Sequence, residues 1–461
     1  MAPPIELDAT LKELYELSGN HHGEIYLITV FPTAQAQTIP GLAACRKYAF
    51  QDGLWPKTGS IQARLFTQVL PQWLAMIAGQ MKLVMFDLEQ PGTDDVDQQA
   101  RADTAEVLGQ ICERQRPTVI YVRNTSDIVL PPEAVLSVVS PLHCLEHLPA
   151  LVPFDSQYRA LSKRDLALSS VPTPASTVID TVLDDVDQVQ EPRLRKTEVA
   201  RILGVIEQTA PPFVIKFPQG RGGFGTLIVR SESERAETVT LLRPEIDNML
   251  QQLNHSNRHL HPASLIVQKM VHGSTVALCM FLPKDGAPII SSCTDQLNDN
   301  QGHWEGSHID YSQQSCLRDE FMPVAELIGT HLRRLGYYGP VGADIMIGPN
   351  NEHFVVDLNA RLTASHLLGF MKGHFSVDRG LNDAAILVPI VDISLREFKR
   401  KFSKELDEGR IVIAGWSHGP EGKLNVTAIV VAAEDMSGLN KLAERVHALK
   451  AVSSFASLPT S

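Results

Sequence analysis

Two apolar runs near residue 350, separated by a turn-forming Gly-Pro-Asn-Asn, most constrain what this chain can fold into. They read VGADIMIGPNNEHFVVDLNARLTASH over residues 341–366, and apolar runs joined by such a turn predict an antiparallel β-hairpin. Strand side chains alternate between two faces, so Asp357, Asn359 and Arg361 should share one face. The apolar residues between them should pack inward.

The polar face of this hairpin offers the ligands of a hard cation. Asp344 lies on the first run, while Asp357 and Asn359 add a carboxylate and an amide oxygen from the second. Mg²⁺ takes such oxygens when it bridges protein carboxylates and substrate phosphates. Arg361 would face the same anion, because a guanidinium pairs with phosphate oxygens. The alternative is a half-buried hairpin whose polar face is merely solvated.

Length and composition indicate a folded enzyme of several domains. The chain has 461 residues, of which 44% are hydrophobic and 20% charged, so two or three domains are expected. The net charge of −12 argues against a nucleic-acid or membrane partner, because both select a basic face. An anionic ligand would therefore need local positive charge or a metal.

Cysteine usage and the N-terminal residues favour a cytoplasmic protein. The six cysteines form no CxxC pair and lie mostly beside apolar residues, as expected for reduced thiols in a core. The N-terminal residues are acidic and lack an apolar signal core. No run of the ~18 apolar residues that a membrane span needs is present.

The order of apolar segments predicts three structural units. Strand-like and helix-like segments alternate between residues 24 and 122, which favours a parallel α/β unit. A proline-rich stretch follows and ends near residue 155. The predicted units are 1–155, 156–376 with lobes at about 156–272 and 273–376, and 377–461. Residues 299–314 are polar, aromatic and glycine-containing and could help form an acceptor pocket, with an ordinary exposed loop as the alternative.

A glycine-rich loop follows the strand-like segment FVIKFP and matches the pattern G-x-G-x-x-G. Its glycines are Gly220, Gly222, Gly223 and Gly225. A dinucleotide-binding loop would lead into a helix, but here the strand-like TLIVR follows. A strand-loop-strand unit suits a flap over a triphosphate, where backbone N–H groups approach the phosphates. A glycine-rich surface hairpin is the alternative.

Lys216 lies inside FVIKFP, where an ammonium group is rarely buried without a partner. A phosphate oxygen is the simplest such partner, and the position four residues before the glycine loop favours that interpretation. An edge-strand lysine that reaches water is the alternative. Further along, the segment QKMV could offer backbone groups to an adenine, although many strand connections look alike. Its residues are Gln268, Lys269, Met270 and Val271.

The succession of Lys216, glycine loop, QKMV, Asp344 and the D-x-N-x-R strand resembles the ATP-grasp superfamily over about residues 155–375. In that superfamily two α+β lobes clamp Mg-ATP. The resemblance implies an α/β and α+β fold: an N-terminal parallel α/β (pre-ATP-grasp) domain, a two-lobed ATP-grasp fold and a C-terminal α+β segment. FVIKFPQGRGGFG and FVVDLNARLTASH are its most specific stretches.

The resemblance also implies roles for the residues already named. Lys216 would contact the α- and β-phosphates, the loop from Gly220 would cover the β- and γ-phosphates, and residues 268–271 would line the adenine and ribose. Arg361 would meet the transferred phosphate or an acyl-phosphate, and Lys216 and Arg361 are the catalytic candidates. One or two Mg²⁺, replaceable by Mn²⁺, would be held by three ligands, namely Asp344, Asp357 and Asn359.

Two features depart from the superfamily pattern. Aspartates stand at 344 and 357, whereas the second-strand metal ligands of the family are most often glutamates, and the shorter reach could alter the metal spacing. The additional N-terminal basic contact to phosphate is ambiguous. SKRDLA suggests Lys163, whereas the usual distance to the following proline favours Arg159.

The resemblance implies an ATP-dependent carboxylate–amine ligase that acts through an acyl-phosphate on a small-molecule carboxylate and an amine. The chain is also similar to fungal stand-alone ATP-grasp proteins of secondary-metabolite gene clusters, and a homodimer is compatible with these expectations. A small-molecule kinase on the same scaffold and a non-catalytic nucleotide-binding regulator are the alternatives. The identity of the acid and the amine is left open.

Overall fold

The computed structural model describes most of the chain, namely residues 4–18, 23–30, 47–51, 60–86, 94–183, 186–220, 225–298, 304–419 and 422–452. Three β-sheets organise these residues. Among the described residues, no helix has the length and apolar character needed to cross a membrane.

The first sheet is parallel and N-terminal, with the strand order β3-β2-β1-β4. Its strands are β1 (Ile25–Ile28), β2 (Lys82–Phe86), β3 (Thr118–Val122) and β4 (Val135–Val138). The accompanying helices are α1 (Leu11–Leu17), α2 (Ser60–Ala75) and α3 (Asp94–Gly109). All four residues of β1 are buried, as expected for a strand covered on both faces. The predicted parallel α/β unit is confirmed.

The second sheet is antiparallel, in the order β5-β8-β6-β7. The elements of this region are α4 (Phe154–Ala160), α5 (Lys163–Ala167), β5 (Ser176–Asp180), α6 (Val186–Gln190), α7 (Pro192–Gln208), β6 (Phe213–Lys216), β7 (Thr226–Val229), α8 (Glu232–Gln251) and β8 (Ser264–Lys269). One face of this small sheet buries Phe213, Ile215 and Val267 in a core shared with α7 and α8. The predicted strand-loop-strand arrangement around the glycine loop is confirmed, because β6 pairs with β7.

The third sheet is the largest, in the order β13-β12-β9-β10-β11-β14-β17-β15, with β16 also paired to β17. Its strands are β9 (Ser274–Leu282), β10 (Ile289–Asn298), β11 (Trp304–Asp310), β12 (Gly339–Ile347), β13 (His353–Asn359), β14 (Asp383–Leu387), β15 (Ile390–Val391), β16 (Ile411–Trp416) and β17 (Asn425–Ala433). The remaining helices are α9 (Gln314–Arg334), α10 (His366–Gly369), α11 (Leu395–Lys401), α12 (Ser403–Asp407) and α13 (Met436–His447). Short 3-10 turns lie at Glu113–Gln115, Thr125–Asp127, His143–Leu145 and Arg258–Leu260, and a π-helical turn lies at Gly373–Val377.

The alternative interpretation of residues 299–314 as an exposed loop was wrong for 304–310, which form β11, and the acceptor pocket stays a prediction. This strand is polar, but it pairs antiparallel with β10 on one side and with β14 on the other. The two neighbouring strands provide hydrogen-bond partners for its backbone N–H and C=O groups. Strand pairing therefore determines this structure, although the sequence of β11 lacks the hydrophobic alternation that predicts a strand. Residues 299–303 lie outside the described residues.

Gln72 of α2 and Gln110, which directly follows α3, cover the edge of β16 that is not paired with β17. The Gln72 side chain donates to the Trp416 carbonyl at 2.9 Å and accepts from the Trp416 N–H at 2.8 Å. Gln110 makes the same pair of bonds to Ile413, at 2.7 and 3.2 Å. Each primary amide thereby replaces a missing strand partner. One continuous apolar core joins the N-terminal unit to the large sheet, and the predicted boundaries at 155 and 376 stay predictions.

Candidate nucleotide and metal site

The hairpin of β12 and β13 builds an acidic face. Asp344 lies directly opposite Asp357 in the register, and a bulge follows between Asp344 and Ile345. Asn351 in the turn has a φ of +62°, a left-handed conformation that asparagine tolerates better than most residues. The predicted inward-facing residues of β13 and its extension are buried, namely Leu358 and Ala360.

Two lysines from the preceding region point toward these carboxylates. Lys163, at the start of α5, places its Nζ 2.9 Å from Asp357 Oδ1 and donates to the Gly220 carbonyl at 2.8 Å. Lys216, at the end of β6, donates to the Val356 carbonyl at 2.5 Å. Both lysine side chains are buried. The structure therefore brings Lys163 and Lys216 together with the hairpin.

Arg159, the other candidate for the N-terminal basic contact, lies elsewhere. Its side chain is 48% exposed and its Nε is 3.1 Å from Asp165 Oδ2. The helical turn at α5, capped by Ser162, directs Lys163 to the hairpin instead. The backbone N–H of Lys163 also donates to the Pro218 carbonyl at 2.9 Å, which fixes the start of α5 against the stem of the glycine loop.

Burial and charge together set the ionisation of this cluster. Burial and the neighbouring charge of Asp357 raise the pKa of Asp344 well above its ordinary range. Burial alone would also raise the pKa of Asp357, but the charges of Lys163 and Lys216 outweigh it and leave that pKa lowered. Burial lowers the pKa of Lys216 to about 8. The two carboxylates therefore differ, and Asp357 is the one held as an anion.

Arg361 lies just beyond β13, at the junction with the N-terminal sheet. Its Nη2 donates to Asn359 Oδ1 at 2.8 Å and its Nη1 to the Leu362 carbonyl at 3.1 Å. An amide oxygen has two lone pairs, so Asn359 can accept this bond and still face a cation. Arg361 also lines a cavity of about 20 Å³ together with Gln157 and Ser137.

The donor set fits Mg²⁺ bound together with phosphate. Among the described residues, no group of three or more His, Cys, Asp and Glu side chains is arranged to hold a metal by itself. Mg²⁺ at phosphate-transfer sites needs only one or two protein carboxylates, because substrate oxygens complete its coordination. Asp344 and Asp357 supply the carboxylates, and Asn359 adds a neutral oxygen. The Lys163 ammonium shows that Asp357 accepts a cation at this position.

The stem of the glycine loop is held closed. Gly225 has a φ of +86°, and a Cβ at this residue would lie 3.1 Å from the Gly220 Cα. The Phe217 N–H donates to the Gly225 carbonyl at 2.9 Å. Glycine is required at 225 because other residues rarely adopt this conformation. Gly222 and Gly223 lie outside the described residues.

The segment 268–271 ends β8 and leads into β9. Gln268 is paired with Val214, two residues before Lys216, so Gln268 and Lys216 share one face of the small sheet. The Gln268 side chain is buried and donates to Ser176 Oγ at 3.1 Å, and the Lys269 N–H donates to the Ala175 carbonyl at 2.8 Å. Met270 and Val271 follow directly.

Two further polar side chains contact the site and were missed from the sequence. Gln296 on β10 donates from Nε2 to Asp344 Oδ1 at 2.7 Å. Gln51 accepts from the Gln219 N–H at 2.9 Å and donates to the Pro262 carbonyl at 3.1 Å, which ties the N-terminal unit to the stem of the glycine loop. The alternation of side chains along SSCTDQL could have predicted which face of the sheet Gln296 occupies. It does not reveal which strands lie next to β10, and so does not predict the contact with Asp344.

Comparison with known proteins shows which domain family part of this chain resembles. Residues 179–365 match the family model described as an ATP-grasp domain. No curated protein matches the sequence. This region is therefore similar to the ATP-grasp domain.

Solved structures share the architecture at low sequence identity. An L-amino acid ligase from Bacillus licheniformis is 11% identical, with 93% of this chain and 98% of that chain covered and a TM-score of 0.50. Phosphoribosylamine–glycine ligase from Thermotoga maritima is 13% identical, with 85% and 95% covered and a TM-score of 0.49. N5-carboxyaminoimidazole synthetase from Staphylococcus aureus is 11% identical, with 93% and 97% covered and a TM-score of 0.48. The first of these similarities concerns the fold alone, which in this chain is a parallel N-terminal sheet followed by antiparallel sheets.

Proposed function

We propose that the protein is an ATP-dependent carboxylate–amine ligase that forms an amide or peptide bond. The observation that carries this proposal is the convergence of two lysines from the small-sheet region on two carboxylates of the hairpin, with the ion pair between Lys163 and Asp357 at its centre. Such a cluster can hold a triphosphate and its cation between two structural units. Arg361, beside Asn359, adds a third basic group.

ATP would bind between the small sheet and the hairpin. Lys163 and Lys216 would neutralise phosphate oxygens, and backbone N–H groups of the glycine loop would cover the terminal phosphates. Backbone groups of residues 268–271 would receive the adenine, since the Gln268 side chain already bonds to Ser176. Binding would require Lys163 to share its ammonium between Asp357 and the phosphates.

Asp344, Asp357 and Asn359 would hold one or two Mg²⁺, or Mn²⁺ in their place. The metal would neutralise charge on the transferred phosphate. These side chains come from a paired hairpin whose register is fixed. Their relative positions are therefore set before ATP arrives, which is what electrostatic catalysis requires.

The reaction would proceed in two displacements. An oxygen of the substrate carboxylate attacks the γ-phosphorus, and the bond from that phosphorus to the β–γ bridging oxygen breaks. ADP departs, and the product is an acyl-phosphate. The nitrogen of an amine then attacks the acyl carbon, inorganic phosphate departs, and the nitrogen loses a proton to solvent. Lys216 and Arg361 would stabilise the negative oxygens during the first displacement.

Amino acids are the first substrates to test, because the Bacillus licheniformis protein of the same fold is described as an L-amino acid ligase. We further propose a cytoplasmic enzyme of small-molecule biosynthesis, including secondary metabolism, that acts on free carboxylates and amines. A homodimer is compatible with this function.

The proposal is tested by ADP release in the presence of Mg²⁺, ATP and pairs of carboxylic acids and amines, with mass spectrometry of the products. A ligase yields ADP and an amide whose formation depends on both partners. A phosphorylated acid or alcohol that persists when amines are present would instead identify a kinase. ATP binding without ADP release for any pair would favour a regulator.

A further inference from the structure

Asp344 and Asp357 face each other across the hairpin, but they have different partners. Asp357 is paired with the ammonium of Lys163. Asp344 accepts a hydrogen bond from an uncharged group, the side-chain amide of Gln296, at 2.7 Å. The donor is Nε2 of Gln296, so the amide presents its N–H group to Oδ1 of Asp344.

The path from Gln296 to Asp344 crosses a whole strand. In the register, Asp344 on β12 lies beside Ala277 on β9, and Ala277 lies beside Thr294 on β10. Gln296 is two residues beyond Thr294 and therefore on the same face. Two strand spacings separate β10 from β12, roughly 9.5 Å, so only a long side chain reaches across. The intervening Ala277 carries only a methyl group, the smallest side chain that has a Cβ.

We infer that Gln296 is a positioning residue for the metal ligand Asp344. Its N–H group holds Oδ1 and so restricts the rotation of the carboxylate, which leaves Oδ2 available to the metal. This inference rests on the proposed function, because it assigns Gln296 a role in the metal site of that ligase. Hydrogen-bonded partners of metal-ligating carboxylates typically change metal affinity by about 10- to 100-fold when removed.

Glutamine suits this position because it is neutral. A lysine at 296 would place a fixed cation beside Asp344 and compete with the metal. A glutamate would add a further negative charge next to two existing carboxylates, which repel one another. The amide orients Asp344 without changing the charge of the site, while Lys163 supplies the charge on the opposite side, at Asp357.

Two variants at residue 296 distinguish the effect of side-chain length from the effect of the N–H donor. Gln296→Met keeps a similar length and volume but has no N–H donor. Gln296→Asn keeps the amide but is one methylene shorter and cannot span β9. The matched control is Asp295→Asn, on the opposite face of β10, where the Asp295 side chain is 69% exposed.

The measurement is Mn²⁺ affinity by electron paramagnetic resonance in the presence of a non-hydrolysable ATP analogue, alongside analogue affinity without metal. We expect both Gln296 variants to raise the Mn²⁺ Kd by about 10- to 100-fold. Analogue affinity without metal should stay within about twofold, and the control should match the unmodified protein. The KM for Mg²⁺ should rise more than kcat falls.

The outcomes distinguish this inference from the proposed function. Mn²⁺ affinities within twofold of the unmodified protein in both folded variants would overturn the role of Gln296. Absence of Mn²⁺ binding by the unmodified protein would overturn the metal site and this inference together. Mn²⁺ binding that depends on Gln296, without ADP release for any substrate pair, would support the inference and count against the ligase alone.

Discussion

Two lysines face the carboxylates of the hairpin, and they have different partners. Lys163 forms an ion pair with Asp357, whereas Lys216 donates to a backbone carbonyl and is buried enough to lower its pKa to about 8. An ammonium that is stabilised only by a carbonyl and by distant charges is easier to deprotonate. At the scale of residues, Lys216 is therefore a group that loses its charge at mildly alkaline pH.

ATP affinity should fall as the pH rises through about 8. The pKa of Lys216 in the folded protein is about 8, below its ordinary value, so the side chain is a cation below this pH and neutral above it. Bound phosphate would favour the cation and raise its pKa. Between pH 7 and 9 the ATP Kd should increase about tenfold, which calorimetric titration can measure. Lys216→Arg should remove this dependence, and equal pH profiles for the two proteins would contradict the prediction.

Asp357→Asn should depress ADP formation by about 100-fold or more, because it removes an anionic metal ligand and the counter-ion of Lys163. The backbone register of the hairpin should persist, so circular dichroism and cooperative melting should be retained. Asp378→Asn is the matched control, since the Asp378 side chain is 63% exposed. Turnover unchanged by Asp357→Asn would refute the proposed metal ligand.

At the scale of elements, the glycine loop depends on a stem that brings two backbone segments close together. The carbonyl of Gly220 accepts from Lys163, and the carbonyl of Gly225 accepts from Phe217. The positive φ of Gly225 closes this stem. Its conformation therefore links the flap of the proposed ATP site to the lysine that contacts Asp357.

Gly225→Ala should weaken ATP binding by about tenfold, because a left-handed conformation costs a non-glycine residue roughly 1–2 kcal/mol and the new Cβ would press on Gly220. Gly204→Ala is the matched control. Among the described residues, apart from the chain neighbours and backbone of α7 itself, no atom lies within 4 Å of a Cβ at Gly204, so alanine there should stabilise the fold by up to about 1 kcal/mol. Equal ATP affinities for the two variants, measured by titration, would argue against a role for the stem.

Local pattern was enough to predict the elements that carry most of the site. The hairpin has alternating polarity and a turn sequence, and the segment around Lys216 has an apolar run followed by glycines; both features are encoded within about 25 residues. Strand β11 was missed because its polar sequence becomes a strand only through its neighbours. The contact between Gln296 and Asp344 depends on the order of three strands, which no local pattern specifies.

At the scale of the whole molecule, parts of the chain that are distant in sequence share one core and form hydrogen bonds with one another. Buried residues of the N-terminal unit, of the hairpin and of the last strands belong to one apolar core. Gln51 ties the N-terminal unit to the stem of the glycine loop, and Gln72 and Gln110 pair with the backbone of β16. The N-terminal unit is thus a structural partner of both sheets that follow it.

Gln72→Ala should lower the free energy of unfolding by about 2–4 kcal/mol, because it leaves the buried N–H and carbonyl groups of Trp416 without partners. Urea denaturation measures the change. Gln251→Ala, at an exposed position of α8, is the control and should change the free energy by less than about 0.5 kcal/mol. A similar small change for Gln72→Ala would show that β16 does not need its glutamine partner.

The glutamine-covered edge of β16 also bears on how the protein is made. Gln72 and Gln110 precede their partners Trp416 and Ile413 by 344 and 303 residues, so both glutamines leave the ribosome long before β16 does. An uncovered edge strand is a template for pairing with other chains, and N-terminal units generally fold first during synthesis. The N-terminal unit would therefore already be folded when β16 leaves the ribosome, and its two glutamines could bond to the edge of that strand before another chain does.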